Sequence, residues 1–552
     1  MVSRRVALSF LCIFVGYSFF GLYGLSLRFG FSFPIEIYWL SFTLVSIPLL
    51  VEVFFWKSSG NLRIFYLLSF SLMISLQYAV VDSSVFLSSE DAVADYRLTE
   101  RIISTSHWTP SEPVELAFGS EYIFYPVTNL LYATMSLLTG IPLIIVVKYL
   151  LIVRALVVTP IAERFFRNFF SQKVAYLATA LFLASPGAIL FPHKEAFAVM
   201  FFIIGLYVIT KAEKTRQYLL IGLLSIVTLI MTHHFTTYIF MALLTSLFLA
   251  HQLYGRKKAV EVSGRFYMLP VIVFLAWIAF VGWSIFSQHQ RLLASILFQT
   301  IAPGQLTFSE LLTRYSPYEQ LIVWLGYGVA ILLSVFGFLS YIRNKRFFSS
   351  SFFSMLLVFI PILGVAVITR FLPLEHSIGI SHRAFEFGYI AIGALSAFFV
   401  IHAINIRRKL MLKALVISLI LIMIMIGPMA SAMHPRTFST VSKIVSEEAM
   451  SMNDWMNESE ASSEYTVGDR LIRFIVSGYG SSLAVEYPDF FRSIDFDLPL
   501  EMSHNISYVI TYRGITDFYG SNAERFYESP YFHKIYENGV LTIFRIVYQN
   551  SS

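Results

Sequence analysis

The residues of this chain that can do chemistry are few and unevenly placed. Segment 82–122 carries eight acids: Asp82, Glu90, Asp91, Asp95, Glu100, Glu112, Glu115 and Glu121. Further on come Lys194-Glu195 behind Pro192-His193, the pair His233-His234 behind Thr232, and the stretch Arg370 to Arg383 with Glu375, His376 and His382. A carboxylate can take a proton and cations can stabilise a departing anion, so the set suits group transfer. Asp91 and Asp95, at i and i+4, share one face of a helix and can present two carboxylates to a substrate or a metal. The plainer alternative is a charged helix with Arg97 and Arg101 as partners. Neighbouring helical residues point about 100° apart, so His233 and His234 cannot both ligate one metal unless the helix breaks there. A phosphate- or sugar-binding role suits them better. Lys194-Glu195 also reads as a self-neutralising pair at a helix start, and Arg383 with Glu386 at i, i+3 as a structural ion pair.

These groups are held by an unusually apolar chain. Of 552 residues, 57% are apolar and 13% charged, against about 45–50% and about 25% in soluble domains. Long apolar runs recur from residue 6 to about residue 432, which excludes a soluble cytosolic enzyme and a disordered chain. It also excludes a nucleic-acid-binding module, despite a pI of about 9.1. The single Cys12 allows no intramolecular disulfide. A span needs roughly 20 apolar residues, and thirteen are expected: about 6–26, 34–56, 64–81, 142–160, 174–191, 195–210, 217–232, 235–253, 267–288, 321–341, 352–369, 384–405 and 412–431. The first is too long for the apolar region of a cleaved signal peptide and reads as an uncleaved span. The shorter run 123–139, opening Phe124-Tyr125-Pro126, is expected to lie at or dip into the interface. Lys148 and Arg154 fall inside the fourth span, roughly 9 and 18 Å from its outer end. Arg154 therefore needs a partner, a polar cavity, or a reach to the cytoplasmic interface.

The charges are sorted. With the N-terminus inside, the cytoplasmic connections hold 21 Lys+Arg and three acids, whereas the short external ones hold eight Lys+Arg. That asymmetry fixes orientation. Residues 1–432 carry 31 Lys+Arg against 18 Asp+Glu, and residues 433–552 carry 9 against 16, which places the acidic tail outside. The tail alternates short β-rich runs, at Tyr465-Thr466-Val467, Ile506 to Thr511 and Leu541 to Tyr548, with helical stretches. Asn538-Gly539 between Ile535-Tyr536 and Val540-Leu541 signals a hairpin. The expected architecture is thus a polytopic α-helical domain (1–432) followed by a small extracytoplasmic α/β domain (433–552). Asn457-Glu458-Ser459 and Asn505-Ile506-Ser507 are glycosylation sequons.

One order of motifs stands out: an acidic pair after a span (Glu90-Asp91), a Tyr-Pro entering a short helix that ends in Gly (Tyr125-Pro126 to Gly140), a basic turn (Arg164 to Lys173), then Ala184-Ser185-Pro186 and a charged turn. This resembles the GT-C superfamily of membrane glycosyltransferases, which includes protein O-mannosyltransferases, aminoarabinose transferases and oligosaccharyltransferase catalytic subunits. The motifs cover roughly residues 64–250. The resemblance implies a polyprenyl-phosphate-linked sugar donor, a lipid, glycan or protein acceptor, and reaction at the external membrane face. It implies that Asp91, or Glu90, activates the acceptor hydroxyl, and that attack at the anomeric carbon expels a polyprenyl phosphate. Charge then makes Lys194, His233, His234, Arg370 and Arg383 the candidates for holding that phosphate, with Asp95, Glu195, His376 and His382 as further substrate-binding candidates. A divalent cation, Mg or Mn, is the one cofactor left open. The chain departs from the family in that Glu90-Asp91 begins about nine residues after the third expected span, whereas the family's acidic loop follows the first. Two other classes stay open: a lipid-linked-glycan flippase or transporter, and a glycan polymerase or ligase.

Overall fold

Long apolar runs fold as helices because hydrocarbon offers backbone groups no partner outside the segment. In the computed structural model of the protein, helix occurs in each of them among the described residues. The structure describes residues 4–29, 33–55, 58–81, 90–108, 124–185, 194–211, 216–254, 264–283, 286–287, 290, 317–343, 349–371, 377–405, 414–420, 422–426, 451–452, 455–456, 465–468, 484–486, 506–512, 532–537 and 541–546. The helices are α1 (Arg4–Phe29), α2 (Ile35–Phe55), α3 (Gly60–Val81), α4 (Glu90–Thr105), α5 (Val127–Thr139), α6 (Leu143–Tyr149), α7 (Leu151–Phe166), α8 (Gln172–Leu183), α9 (Lys194–Ile209), α10 (Arg216–Ile230), α11 (His234–Tyr254), α12 (Gly264–Phe280), α13 (Pro317–Arg343), α14 (Ser350–Phe371) and α15 (Ser377–Asn405). A further apolar helix covers Ala414–Ile426. Helix therefore occurs in every one of the thirteen apolar ranges. Among the described residues six helices are long and apolar enough to cross a membrane: Arg4–Ser26, Ile35–Phe55, Leu143–Phe166, His234–Leu253, Gln320–Arg343 and Ala384–Ile404.

Two compact units are formed, one by Met1–Ser83 with Lys148–Thr437, the other by Ser84–Val147 with Phe438–Ser552. In the first unit α15 is the central helix, packed by α8, α13 and α14, with 83% of its spanning window buried. α1 is peripheral: 22% of its window is buried, and Leu8, Leu11 and Phe14 are exposed. Exposed apolar rows of this kind suit hydrocarbon rather than water.

The α13–α15 seam depends on a missing side chain. A Cβ at Gly337 would stand 2.1 Å from the Leu395 carbonyl oxygen and 2.5 Å from its carbon, both backbone atoms, whereas a Cβ at Gly328 of the same helix meets nothing within 4 Å. Gly337→Ala is therefore expected to force the helices apart at a cost of about 1–3 kcal/mol. Gly328→Ala should be neutral or mildly stabilising. Thermal melting of the two purified variants checks the contrast, and equal melting would contradict the close approach.

The second unit holds α4, α5 and a five-stranded mixed sheet of order β2-β1-β3-β5-β4, built from β1 (Tyr465–Gly468), β2 (Ala484–Glu486), β3 (Ile506–Tyr512), β4 (Phe532–Glu537) and β5 (Leu541–Ile546). β1 runs parallel to β2 and β3; β5 is antiparallel to β3 and β4. Three of these strands match β-rich runs of the sequence, and β4 and β5 pair across the expected hairpin, whose Asn538-Gly539 lies outside the described residues. β2 was not expected: three residues are too short for an alternation signal. α5, at 13 residues, rises only about 20 Å and is too short to span the roughly 30 Å hydrocarbon core. Pro126 precedes its first turn. Gly140 ends it at φ 70°, donating its N–H to Ser136 O at 2.9 Å, a left-handed cap that glycine adopts without strain.

Candidate active site

In the first unit, α15 meets α7, α9 and α11 through one ion pair and two ring contacts. The Phe387 ring of α15 lies 5.1 Å from Phe202 of α9 and 6.4 Å from Phe235 of α11. One residue before it, Glu386 receives Arg154 of α7 at 3.1 Å. Glu386 is 2% and Arg154 13% exposed, so the pair is withdrawn from solvent on every side. It borders a cavity of about 30 Å³ to which α3 contributes Ser71 and Ser75, and the end of α8 contributes Ser185. That volume holds a water molecule or two.

At the first turn of α9, Lys194 and Glu195 are both buried. The acid sits where the helix dipole favours negative charge. The lysine sits against that dipole. α10 ends and α11 begins around His233, so the helix is broken at the histidine pair. His233 is 6% exposed and serves as the N-terminal cap of α11: its Nδ1 lies 2.8 Å from Thr236 Oγ1 and accepts the Thr236 N–H at 3.4 Å. The Thr237 hydroxyl donates to the His233 carbonyl at 2.8 Å. The two imidazole rings stand 4.8 Å apart. This break removes the geometric objection to joint ligation, yet among the described residues no group of three or more His, Cys, Asp or Glu could hold a metal.

In the second unit, α4 carries Glu90 and Asp91 in its first turn and Asp95 one turn later. Asp95 is fully buried against α5. Asn129 of α5 donates its Nδ2 to the Asp95 carbonyl at 2.9 Å, to Asp95 Oδ1 at 3.2 Å and to Thr99 Oγ1 at 3.2 Å. Leu98 and Ile102 of α4 close over Ala133 of α5 beside this contact, with Ile103, Trp108 and Phe124 around them. Arg97 pairs with Glu100 at 2.7 Å on the exposed side. Burial, then the Glu100 charge, pushes the neighbouring Tyr96 phenol above its ordinary value.

No protein-family model and no curated protein matches the chain by sequence. Among solved structures it is similar to the crystal structure of ArnT from Cupriavidus metallidurans bound to undecaprenyl phosphate, at TM-score 0.51 and 10% identity over 89% of this chain and 99% of that one. The chain shares the fold of that ArnT. The apo state of the same ArnT gives TM-score 0.46 at 10% identity over the same shares. The mycobacterial arabinofuranosyltransferase AftD gives 0.47 at 11% identity, with 90% of this chain matched to 42% of that one.

Within this fold, Lys194, Glu195, His233 and His234 belong to helix ends of the first unit, and Asp95 to the α4–α5 contact of the second. Glu90 and Asp91 are in the first turn of α4, Arg370 in the last turn of α14, and His382 and Arg383 in the second turn of α15; the side chains of these five, and all of His376, lie outside the described residues. Two features escaped the sequence. Arg154 was known to need a partner, but the spacing of Glu386 pointed to Arg383 three residues before it, not to a residue 232 positions away. Asn129 gave no signal at all, being a neutral amide inside a short apolar helix.

Proposed function

We propose that the chain is an integral membrane glycosyltransferase that moves a sugar from a polyprenyl-phosphate-linked donor to a lipid, glycan or protein acceptor at the external membrane face. The observation that carries this is the fold likeness to ArnT along nearly the whole of both chains, a protein crystallised with undecaprenyl phosphate. In this reading the thirteen apolar helices all span. The end that bears Arg63, Arg164, Arg167 and Lys173 is cytoplasmic, in keeping with the retention of positive charge inside. The N-terminus is then cytoplasmic, and the tail domain 433–552 lies outside.

Asp91, with Glu90 beside it, takes the proton from the acceptor hydroxyl as that oxygen attacks the anomeric carbon. The bond from that carbon to the phosphate oxygen breaks, and the electron pair leaves with the polyprenyl phosphate. Lys194, His233, His234, Arg370 and Arg383 stabilise the released phosphate by charge and hydrogen bonds; Asp95, Glu195, His376 and His382 line or brace the substrate. A bound Mg or Mn would add positive charge at the phosphate.

The test is transfer of radiolabelled sugar by the purified full-length protein from a panel of polyprenyl-phosphate donors to membrane-extract acceptors. Lys194→Ala is expected to raise the donor KM about ten-fold or more, the loss of one charge-assisted contact. Absence of transfer with every donor, together with protein-dependent lipid scrambling in liposomes, would instead identify a flippase. Chain elongation of a lipid-linked glycan would identify a polymerase.

A further inference from the structure

We infer that Asn129 is a positioning residue that sets the helix bearing the acceptor-activating acid; the inference rests on the proposed transfer reaction. Asn129 is fully buried, and its Nδ2 reaches three oxygens of α4: Asp95 O, Asp95 Oδ1 and Thr99 Oγ1. Chemistry fixes which way the amide points. The Thr99 hydroxyl already donates to Asp95 O at 2.6 Å, so all three of these oxygens present lone pairs, and only the NH2 end of the amide can satisfy them.

The contact has the geometry of a clamp. It grips the α4 backbone at Asp95, one helical turn after Asp91, so its rigidity is passed to the first turn along the helix itself. Loss of that grip would let the Glu90–Asp91 turn shift without unfolding α5, which keeps its apolar contact through Ala133 to Leu98 and Ile102.

Packing alone does not explain the residue. Among the described residues the Asn129 Oδ1 atom is buried without a hydrogen-bond partner, as is the Thr128 Oγ1 beside it. A stranded buried acceptor is unfavourable, and an apolar side chain of similar size would fill the position without one. What Asn adds at this position is the donor aimed at α4.

The experiment compares Asn129→Ala, Asn129→Leu and Asp95→Asn in the full-length protein, by amide hydrogen exchange and by transfer kinetics. Asn129→Leu keeps the size but has no donor. Both Asn129 variants should speed exchange in the first turns of α4 at least ten-fold, leaving the helices of the other unit unchanged. Their kcat should fall about 100-fold, the effect of displacing a reacting group by about 1 Å, with donor KM within about two-fold. Asp95→Asn keeps the backbone carbonyl that Asn129 grips, so exchange in the first turns of α4 should stay near that of wild type. Unchanged exchange in the Asn129 variants overturns the clamp. Faster exchange with unchanged kcat overturns its positioning role. Severe loss in Asp95→Asn, with Asn129→Ala active, would instead assign the role to the Asp95 carboxylate. If the wild type itself transfers no sugar, the proposed reaction fails, and exchange still decides the clamp.

Discussion

Asp91→Asn is expected to reduce sugar transfer by about 10²–10⁴-fold while donor binding stays near that of wild type. That range is what a positioned general base contributes, and Asn is isosteric but cannot accept the proton. Asp91 belongs to the first turn of α4, where an acidic residue is stabilised by the helix dipole, and, one turn on, Asn129 donates to the Asp95 carbonyl and carboxylate and to the Thr99 hydroxyl. An acid on a braced helix can meet a hydroxyl in one geometry, whereas an acid on a free loop cannot. Glu90 is the internal control: Glu90→Gln should be the milder variant if Asp91 is the base. If Asp91→Asn turns over as fast as wild type while Glu90→Gln is dead, the neighbouring acid carries the role. If both are active, the acid pair is not the base.

The second large effect is expected at Arg154. Replacing it with Met leaves the Glu386 carboxylate, 2% exposed, without its countercharge. Breaking a buried pair from one side costs about 3–5 kcal/mol, because the remaining charge is stranded in a low dielectric. The double variant Arg154→Met with Glu386→Leu should recover most of that stability, since two apolar residues strand nothing. Melting of the purified protein in detergent reads all three variants. A single variant as stable as wild type would mean that other groups around Glu386 hold its charge.

Much of the fold was legible because bilayers impose length. An apolar run near twenty residues leaves few alternatives, and each such run is helical here. β3 and β5 were legible for a similar reason: Ile506-Ser507-Tyr508-Val509 and Leu541-Thr542-Ile543-Phe544 carry the β-branched and aromatic residues that strands favour. The site was legible only as a list of charged residues. Pattern rules see neighbours at i+3 or i+4, so they paired Glu386 with Arg383 and Asp91 with Asp95. Neither the Arg154–Glu386 pair nor the Asn129 contact has a short-range signature, since each is made by helices that meet only after folding. His233 shows the opposite limit: its break from the helix decides its capping role, and nothing in Thr-His-His-Phe announces that break.

The close contact at Gly337 bears on how such a chain can change over time. Inside hydrocarbon, apolar surface gains little by leaving lipid for another helix, so association relies on fit and on a few polar ties. Fit is demanded only along seams such as Gly337 against Leu395. The lipid-facing side of α1 asks merely that Leu8, Leu11 and Phe14 remain greasy. Most positions are therefore free to exchange one apolar residue for another, and drift can erase sequence likeness long before it reaches the seams.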